Sequence, residues 1–247
     1  MRINEIFYSL QGEGFLAGVP SVFVRLAGCP LRCRWCDTKY AWDETAGQQY
    51  SIEKIILTVQ QWPCKFIVIT GGEPMINPDL PDLARKLKAS GNHITIETAG
   101  IAFIPDMSCD LMSISPKLSN SAPSTQNGGK KTEARSLAPT PVVGAGGTEI
   151  RRQKFLGPDI TILRKLLDNY KYQLKFVVDS QNDLQEIQQA IEQIGNVDSA
   201  KVMLMPQAAT RDQLLAKSPM VVDLCKRTGF AFCQRFQVLL WNNARGR

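Results

Sequence analysis

The sequence predicts an α/β fold in which a mainly parallel sheet is covered by helices joined through right-handed crossovers. Three observations carry that prediction. Short runs of β-branched and aromatic residues alternate with stretches of helical apolar periodicity along most of the 247 residues. One run, KFIVIT at 65–70, is apolar without alternation, the pattern of a strand buried on both faces. The helical stretches also carry start and stop residues where their periodicity begins and ends.

In chain order, SVFVRL (21–26) reads as a strand. SIEKIILTVQQW (51–62) reads as a helix, with Ser51 as N-cap and Glu53 in the first turn. After the strand at 65–70, DLPDLARKLKAS (79–90) is helical and stops at Gly91. ITIET (94–98) and DLMSIS (110–115) are strands. YQLKFVVD (172–179) is a strand, NDLQEIQQAIEQI (182–194) a helix, and KVMLMP (201–206) a strand. A helix follows from about Arg211 to Arg227, with an interruption expected at Pro219, and FAFCQRF (230–236) closes the series. Residues 119–149 are rich in Ser, Pro, Gly, Thr and Ala without apolar period. They read as a flexible low-complexity insertion, at about 122–150, inside a single domain spanning 1–247.

Composition excludes several classes. Hydrophobic residues at 44% and charged residues at 21% give an ordinary globular balance. No apolar run is long enough for a bilayer span, and MRINEIFYSLQGEGF has no signal-peptide pattern, so the expected compartment is the cytoplasm. The net charge of +6 fits a basic surface or an anionic ligand. Part of the excess falls in one loop, at Lys130, Lys131, Arg135, Arg151, Arg152 and Lys154, so nucleic acid is not the expected partner. Seven cysteines, an odd number in a reducing compartment, do not make a disulfide framework.

Three of those cysteines stand together in AGCPLRCRWCDTKYAW (27–42): Cys29, Cys33 and Cys36, spaced C-x3-C-x2-C in a loop opened by Gly28 and Pro30. The other four, Cys64, Cys109, Cys225 and Cys233, are scattered and read as small buried hydrophobes. The single histidine, His93, lies far away at the start of a strand. On spacing alone two readings stand. One is a zinc site with a fourth ligand from elsewhere; the other is a four-iron cluster on three thiolates with one iron open. A second motif, TGGEP (70–74), follows the buried strand. Its adjacent glycines admit close backbone approach, and Glu73 sets a carboxylate at the strand's carboxyl end, where ligands bind in such folds.

The cysteine spacing followed by TGGEP resembles the radical S-adenosylmethionine (SAM) enzymes. INEIFYSLQGEGFLAGVPSVFVRLAGC (3–29), CDTKYAW (36–42), TGGEP, IETAG (96–100), SISPKLSNS (113–121) and YQLKFVVD together resemble the 7-carboxy-7-deazaguanine synthase family. The likeness covers most of the chain outside about 122–150, and LQGEG, CDT and SPK are more specific than the cysteine spacing. It implies an incomplete (partial) parallel β/α barrel of the radical SAM type. It also implies a [4Fe-4S] cluster on Cys29, Cys33 and Cys36, with SAM on the open iron and Mg2+ at Thr38. The implied reaction converts 6-carboxy-5,6,7,8-tetrahydropterin to 7-carboxy-7-deazaguanine with ring contraction and loss of ammonia, as in queuosine and 7-deazapurine biosynthesis. The implied activity is that of a carbon–nitrogen lyase. The radical is borne by SAM, so no side chain is assigned a catalytic step.

The same resemblance assigns the substrate to Leu10, Gln11, Gly12, Glu13, Arg25 and Thr70. Arg25 would clamp the substrate carboxylate, a task that suits the guanidinium fork. SAM is assigned to Trp35, Cys36, Asp37, Gly72, Glu73, Glu97, Ser115, Pro116, Lys117, Lys175, Met205, Pro206 and Gln207. Lys175 is also a charge inside an apolar strand, which needs a partner or a cavity. The implied partners are the pterin substrate, an electron donor such as flavodoxin or ferredoxin, and a second copy in a homodimer, with no membrane. Gln237 stands where the family usually has histidine, and the tail RFQVLLWNNARGR is expected near the site or a dimer interface. Two rivals remain: an activase that makes a glycyl radical on a protein, and a zinc- or cluster-stabilised module that binds nucleic acid.

Overall fold

A computed structural model of the chain describes residues 1–123, 142–144, 148–150 and 157–247. The elements, in order, are β1 (Arg2–Leu10), β2 (Pro20–Leu26), β3 (Gln48–Gln49), α1 (Ile52–Val59), β4 (Phe66–Gly71), α2 (Leu80–Ala89), β5 (His93–Thr98) and β6 (Leu111–Ile114). Then come β7 (Val142–Gly144), β8 (Thr148–Ile150), α3 (Ile160–Asn169), β9 (Tyr172–Val178), α4 (Asp183–Ile194), β10 (Val202–Pro206), α5 (Arg211–Thr228), β11 (Ala231–Phe232) and α6 (Phe236–Trp241).

Nine strands form one open sheet in the order β11-β10-β9-β6-β5-β4-β2-β1-β3. From β2 to β11 every pairing is parallel, whereas β1 and β3 add antiparallel at one edge. The sheet is therefore a partial β/α barrel, and its parallel strands present their carboxyl ends on one rim. Central strands β4, β5, β6, β9 and β10 are buried through most of their length, and β4 is so as its unalternating apolar run requires. The main core joins Val24, Ile67, Ile69, Ile96, Met112 and Phe176 of the sheet to Ile55, Leu83, Leu163 and Leu224 of the helices. Ser51 caps α1 by accepting from the Lys54 amide at 3.1 Å, and Gly91 takes φ +82° beyond α2.

Some expectations need correction. Helix α5 runs unbroken through Pro219, because the proline lies on the exposed side and the freed Leu215 carbonyl sits on a turn that faces water. FAFCQRF contributes only two strand residues; the chain then turns inward to place Arg235, and α6 begins. The cysteine loop follows the second strand, since β1 precedes it. The patterning did not predict β1, β3, α3 or α6. Within the expected insertion, β7 and β8 pair as a separate two-stranded antiparallel sheet. The rest of that stretch, including the basic residues 130, 131, 135, 151, 152 and 154, lies outside the described residues.

Candidate active site

The carboxyl-end rim of the sheet surrounds a cavity of about 270 Å³. The cysteine loop forms one wall. Its start is tied to the TGGEP turn by the Glu73 amide on the Gly28 carbonyl at 2.9 Å, and by the Gly72 amide on Leu26 at 3.1 Å. A Cβ on Gly72 would meet the Gly28 oxygen at 2.1 Å, so the turn needs glycine there to lie against the loop. Farther along, the Cys29 amide donates to Trp42, the Cys36 amide to Cys33 and the Arg34 amide to Ser121, each at 3.0–3.1 Å.

All three thiols line the cavity. Burial pushes Cys29 up to about 12, reinforced by the charge of Glu73 and by the thiols of Cys33 and Cys36. Burial also raises Cys33, against the pull of the Lys117 ammonium. Among the described residues, no three His, Cys, Asp or Glu side chains are drawn together as ligands of one ion would be. Three sulfur donors that face one mouth without histidine suit a soft metal group, and iron–sulfur chemistry above all.

A second wall is built on Glu97, at the end of β5. Its carboxylate accepts from Gln11 Nε2 at 3.1 Å and from Thr70 Oγ1 at 2.9 Å. Gln11 Oε1 accepts in turn from the Glu13 amide at 3.2 Å, so this side chain serves to shape the wall.

The third wall is a buried charge cluster. Lys175 Nζ lies 2.9 Å from Glu13 Oε2, and Arg235 Nε lies 3.3 Å from Glu13 Oε1. Gln237 Nε2 donates to the same Oε1 at 2.7 Å, and Arg235 Nη2 reaches Asp37 at 2.7 Å. Burial alone would raise the Glu13 carboxyl, but the charges of Lys175 and Arg235 outweigh it and hold the group at about 2. Burial would lower Lys175, and Glu13 and Glu97 reverse that and hold it above its usual value. Both members of the pair stay charged.

The fourth wall carries Arg25, whose Nε donates to Glu5 at 2.7 Å, together with Tyr40 and the tail residues Asn243 to Arg247. Lys117 Nζ bonds Ser115 Oγ at 3.1 Å, Gln207 accepts from Lys217 at 2.8 Å, and Thr38 Oγ1 stands 3.6 Å from Cys36 Sγ.

The cavity gathers every residue singled out in the sequence except Glu73, Pro116 and Pro206. The prolines each sit between two lining residues, Ser115 and Lys117 or Met205 and Gln207. Glu73 corrects a specific expectation. Its carboxylate is 1% exposed and turned into the protein, where it accepts from Met75 N at 3.0 Å, Thr98 Oγ1 at 2.8 Å and Ala99 N at 2.8 Å. Those bonds hold the turn together and keep the carboxylate out of the cavity lining. Sequence reasoning missed Arg235, Tyr40, Ser113 and Arg245, which also line the cavity. Only Arg235 left a signal, as a cation at the end of an apolar run, the kind of signal that marked Lys175. Gln237 was noted for its identity, and it stands in the wall.

An open parallel barrel with three thiols on its carboxyl-end rim is the architecture of a radical SAM protein, and the model of the Radical SAM superfamily matches residues 24–117. That segment holds the three cysteines, TGGEP and the SPK stretch. Over 99% of its length the chain is 38% identical to the 7-carboxy-7-deazaguanine synthase of Halobacterium salinarum, covering 91% of that protein. It is 34% identical to the one from Pyrobaculum aerophilum over the whole chain and 97% of the relative. The chain belongs to the 7-carboxy-7-deazaguanine synthase family. Its fold matches the crystal structure of QueE from Escherichia coli with a TM-score of 0.63, at 24% identity, over 94% of this chain and 92% of that one.

Proposed function

We propose that this chain converts 6-carboxy-5,6,7,8-tetrahydropterin to 7-carboxy-7-deazaguanine with ring contraction and loss of ammonia. The observation that carries the proposal is the meeting of two kinds of group in one cavity: three thiols on one wall and a buried set of polar and charged side chains on the others. A glycyl-radical activase would need an open peptide groove, and here the tail residues Asn243 to Arg247 line the cavity.

In this reading Cys29, Cys33 and Cys36 would hold a four-iron cluster with SAM beside it, and the two would supply the radical chemistry that acts at C6 of the substrate. The protein binds, orients and shields. Arg25 holds the substrate carboxylate. Leu10, Gly12 and the Glu13 carboxylate face the pterin edge, and a carboxylate kept ionised accepts from its amino and ring N–H groups. Thr70 sets the position of Glu97, whose carboxylate is placed for the SAM ribose. Trp35, Asp37, Gly72, Ser115, Lys117, Met205 and Gln207 complete the SAM side, while Lys175 keeps Glu13 charged. Thr38 would offer one oxygen to Mg2+, an ion that commonly keeps water ligands. The proposed setting is the cytoplasm, where a flavodoxin or ferredoxin delivers the electron and the chain works as a homodimer. No helix of the described residues is long and apolar enough to cross a membrane.

The test is anaerobic. Protein reconstituted with iron and sulfide receives SAM, reductant, Mg2+ and 6-carboxytetrahydropterin, beside a Cys33→Ala sample. Product from the wild type alone supports the proposal. A brown protein that cleaves SAM and leaves the pterin unchanged would overturn the substrate, and a colourless zinc protein would overturn the chemistry.

A further inference from the structure

Strand β1 carries a register irregularity between Ile3 and Glu5: Ile3 pairs with Leu26, and Glu5 pairs with Arg25. Regular pairing from Ile3 would set Asn4 opposite Arg25 and turn Glu5 to the other face of the sheet, because side chains alternate along a strand. The extra residue resets the phase and lays Glu5 directly across from Arg25. The two bulge residues then act together. Glu5 Oε1 accepts from Arg25 Nε at 2.7 Å and from the Tyr40 hydroxyl at 2.9 Å. Glu5 Oε2 accepts from Arg245 Nε at 2.9 Å, and Asn4 Oδ1 accepts from Arg245 Nη2 at 2.8 Å. Asn4 Nδ2 donates to the Tyr40 carbonyl at 3.1 Å. Arg25, Tyr40 and Arg245 all line the cavity; Asn4 and Glu5 do not.

Two consequences follow from this geometry. Arg25 uses only its inner Nε on the protein, so its two terminal nitrogens keep no hydrogen-bond partner among the described residues. The group also holds two guanidinium charges against one carboxylate. The nearby Asp37 does not restore the balance, since it is paired with Arg235. One positive charge is left for an incoming anion.

We propose that Asn4 and Glu5 are positioning residues for the substrate carboxylate: they aim the free edge of Arg25 into the cavity and latch the C-terminal strap over it through Arg245. The proposal rests on the reading of Arg25 as the carboxylate clamp.

The experiment separates the two claims. The reconstituted protein with SAM is titrated with 6-carboxypterin, an aromatic analogue with no C6 hydrogen to lose, and with pterin, which lacks the carboxylate. The readout is the preference ratio, the dissociation constant of pterin divided by that of 6-carboxypterin. Glu5→Gln is expected to lower the wild-type ratio about tenfold, mostly by weakening 6-carboxypterin. Asn4→Ala and Arg245→Ala are expected to lower it about threefold, as each loosens the latch and leaves the Arg25–Glu5 pair intact. Arg25→Ala is the control and should abolish the preference. If it does, while the other three variants keep the wild-type ratio, the positioning role is wrong and the clamp stands. If Arg25→Ala also keeps the ratio, the clamp falls and the positioning role falls with it. Should Glu5→Gln not fold, the ratios of Asn4→Ala and Arg245→Ala decide the matter.

Discussion

The ammonium of Lys175 sits 2.9 Å from the Glu13 carboxylate with only 3% of the lysine side chain exposed. A buried pair of this kind is costly to break from one side, because the survivor keeps its charge and loses its partner. Glu13→Gln strands the buried Lys175 and leaves Arg235 with Asp37 as its carboxylate partner, so it should destabilise the protein by about 3 kcal/mol in urea unfolding. Lys175→Met should cost less, since Glu13 retains Arg235 and Gln237. The double variant should recover most of the loss. A double variant as unstable as the sum of the two singles would mean that the residues are not coupled.

The same pair predicts an acid dependence. Glu13 is held at about 2 in the fold against an ordinary value of 4.5. A depressed carboxyl stabilises the folded state above its unfolded value, and that contribution drains away as pH falls toward the folded one. Wild type should therefore lose stability relative to Glu13→Gln between about pH 4.5 and pH 2, on the order of a few kcal/mol at most. Unfolding curves for both proteins at pH 6, 4 and 3 give the comparison, and a gap that stays constant across that range would contradict the assignment.

Thr38 offers a single hydroxyl beside Cys36, so magnesium would be weakly held and dependent on substrate oxygens. Thr38→Ala should raise the Mg2+ concentration for half-maximal activity about tenfold, and Thr38→Ser should leave it near normal. SAM affinity, read by equilibrium dialysis, should be unchanged in both. An unaltered Mg2+ curve for Thr38→Ala would remove this residue from the metal site.

What the sequence disclosed depended on whether a residue's role was local. KFIVIT, the capped helix at Ser51 and the stop at Gly91 follow from period and capping, which neighbours in the chain decide. The three cysteines and TGGEP were legible for the same reason, as dense motifs in short loops. Pro219 misled because a proline's effect depends on which side of the helix faces water, and that is a tertiary fact. Glu73 misled because its carboxylate could turn outward or inward, and three donors decided it: Met75 in its own turn, Thr98 of β5 and Ala99 in the turn after β5. Arg235 and Glu5 depend on contacts across more than two hundred residues or on a bulge that shifts a strand by one. A cation closing an apolar run hints at Arg235 without naming its partners, and no local pattern announces Glu5.

Two glycines of the site should respond differently to one methyl group. A Cβ on Gly12 would lie 2.0 Å from Gln237 Oε1 and 2.9 Å from its Cδ, the far end of a side chain that can swing away. Gly12→Ala should therefore fold, with a loss of about 1–2 kcal/mol as Gln237 gives up its bond to Glu13. A Cβ on Gly72 would instead meet the backbone oxygens of Gly28 at 2.1 Å and Ala41 at 2.8 Å. Neither can retreat without moving the cysteine loop, so Gly72→Ala should cost about 3 kcal/mol or more and reduce the iron bound per chain after reconstitution. Iron content and urea midpoints, measured side by side, check both. If Gly72→Ala loads iron normally, the close approach of the two loops is not what holds Cys29 in place.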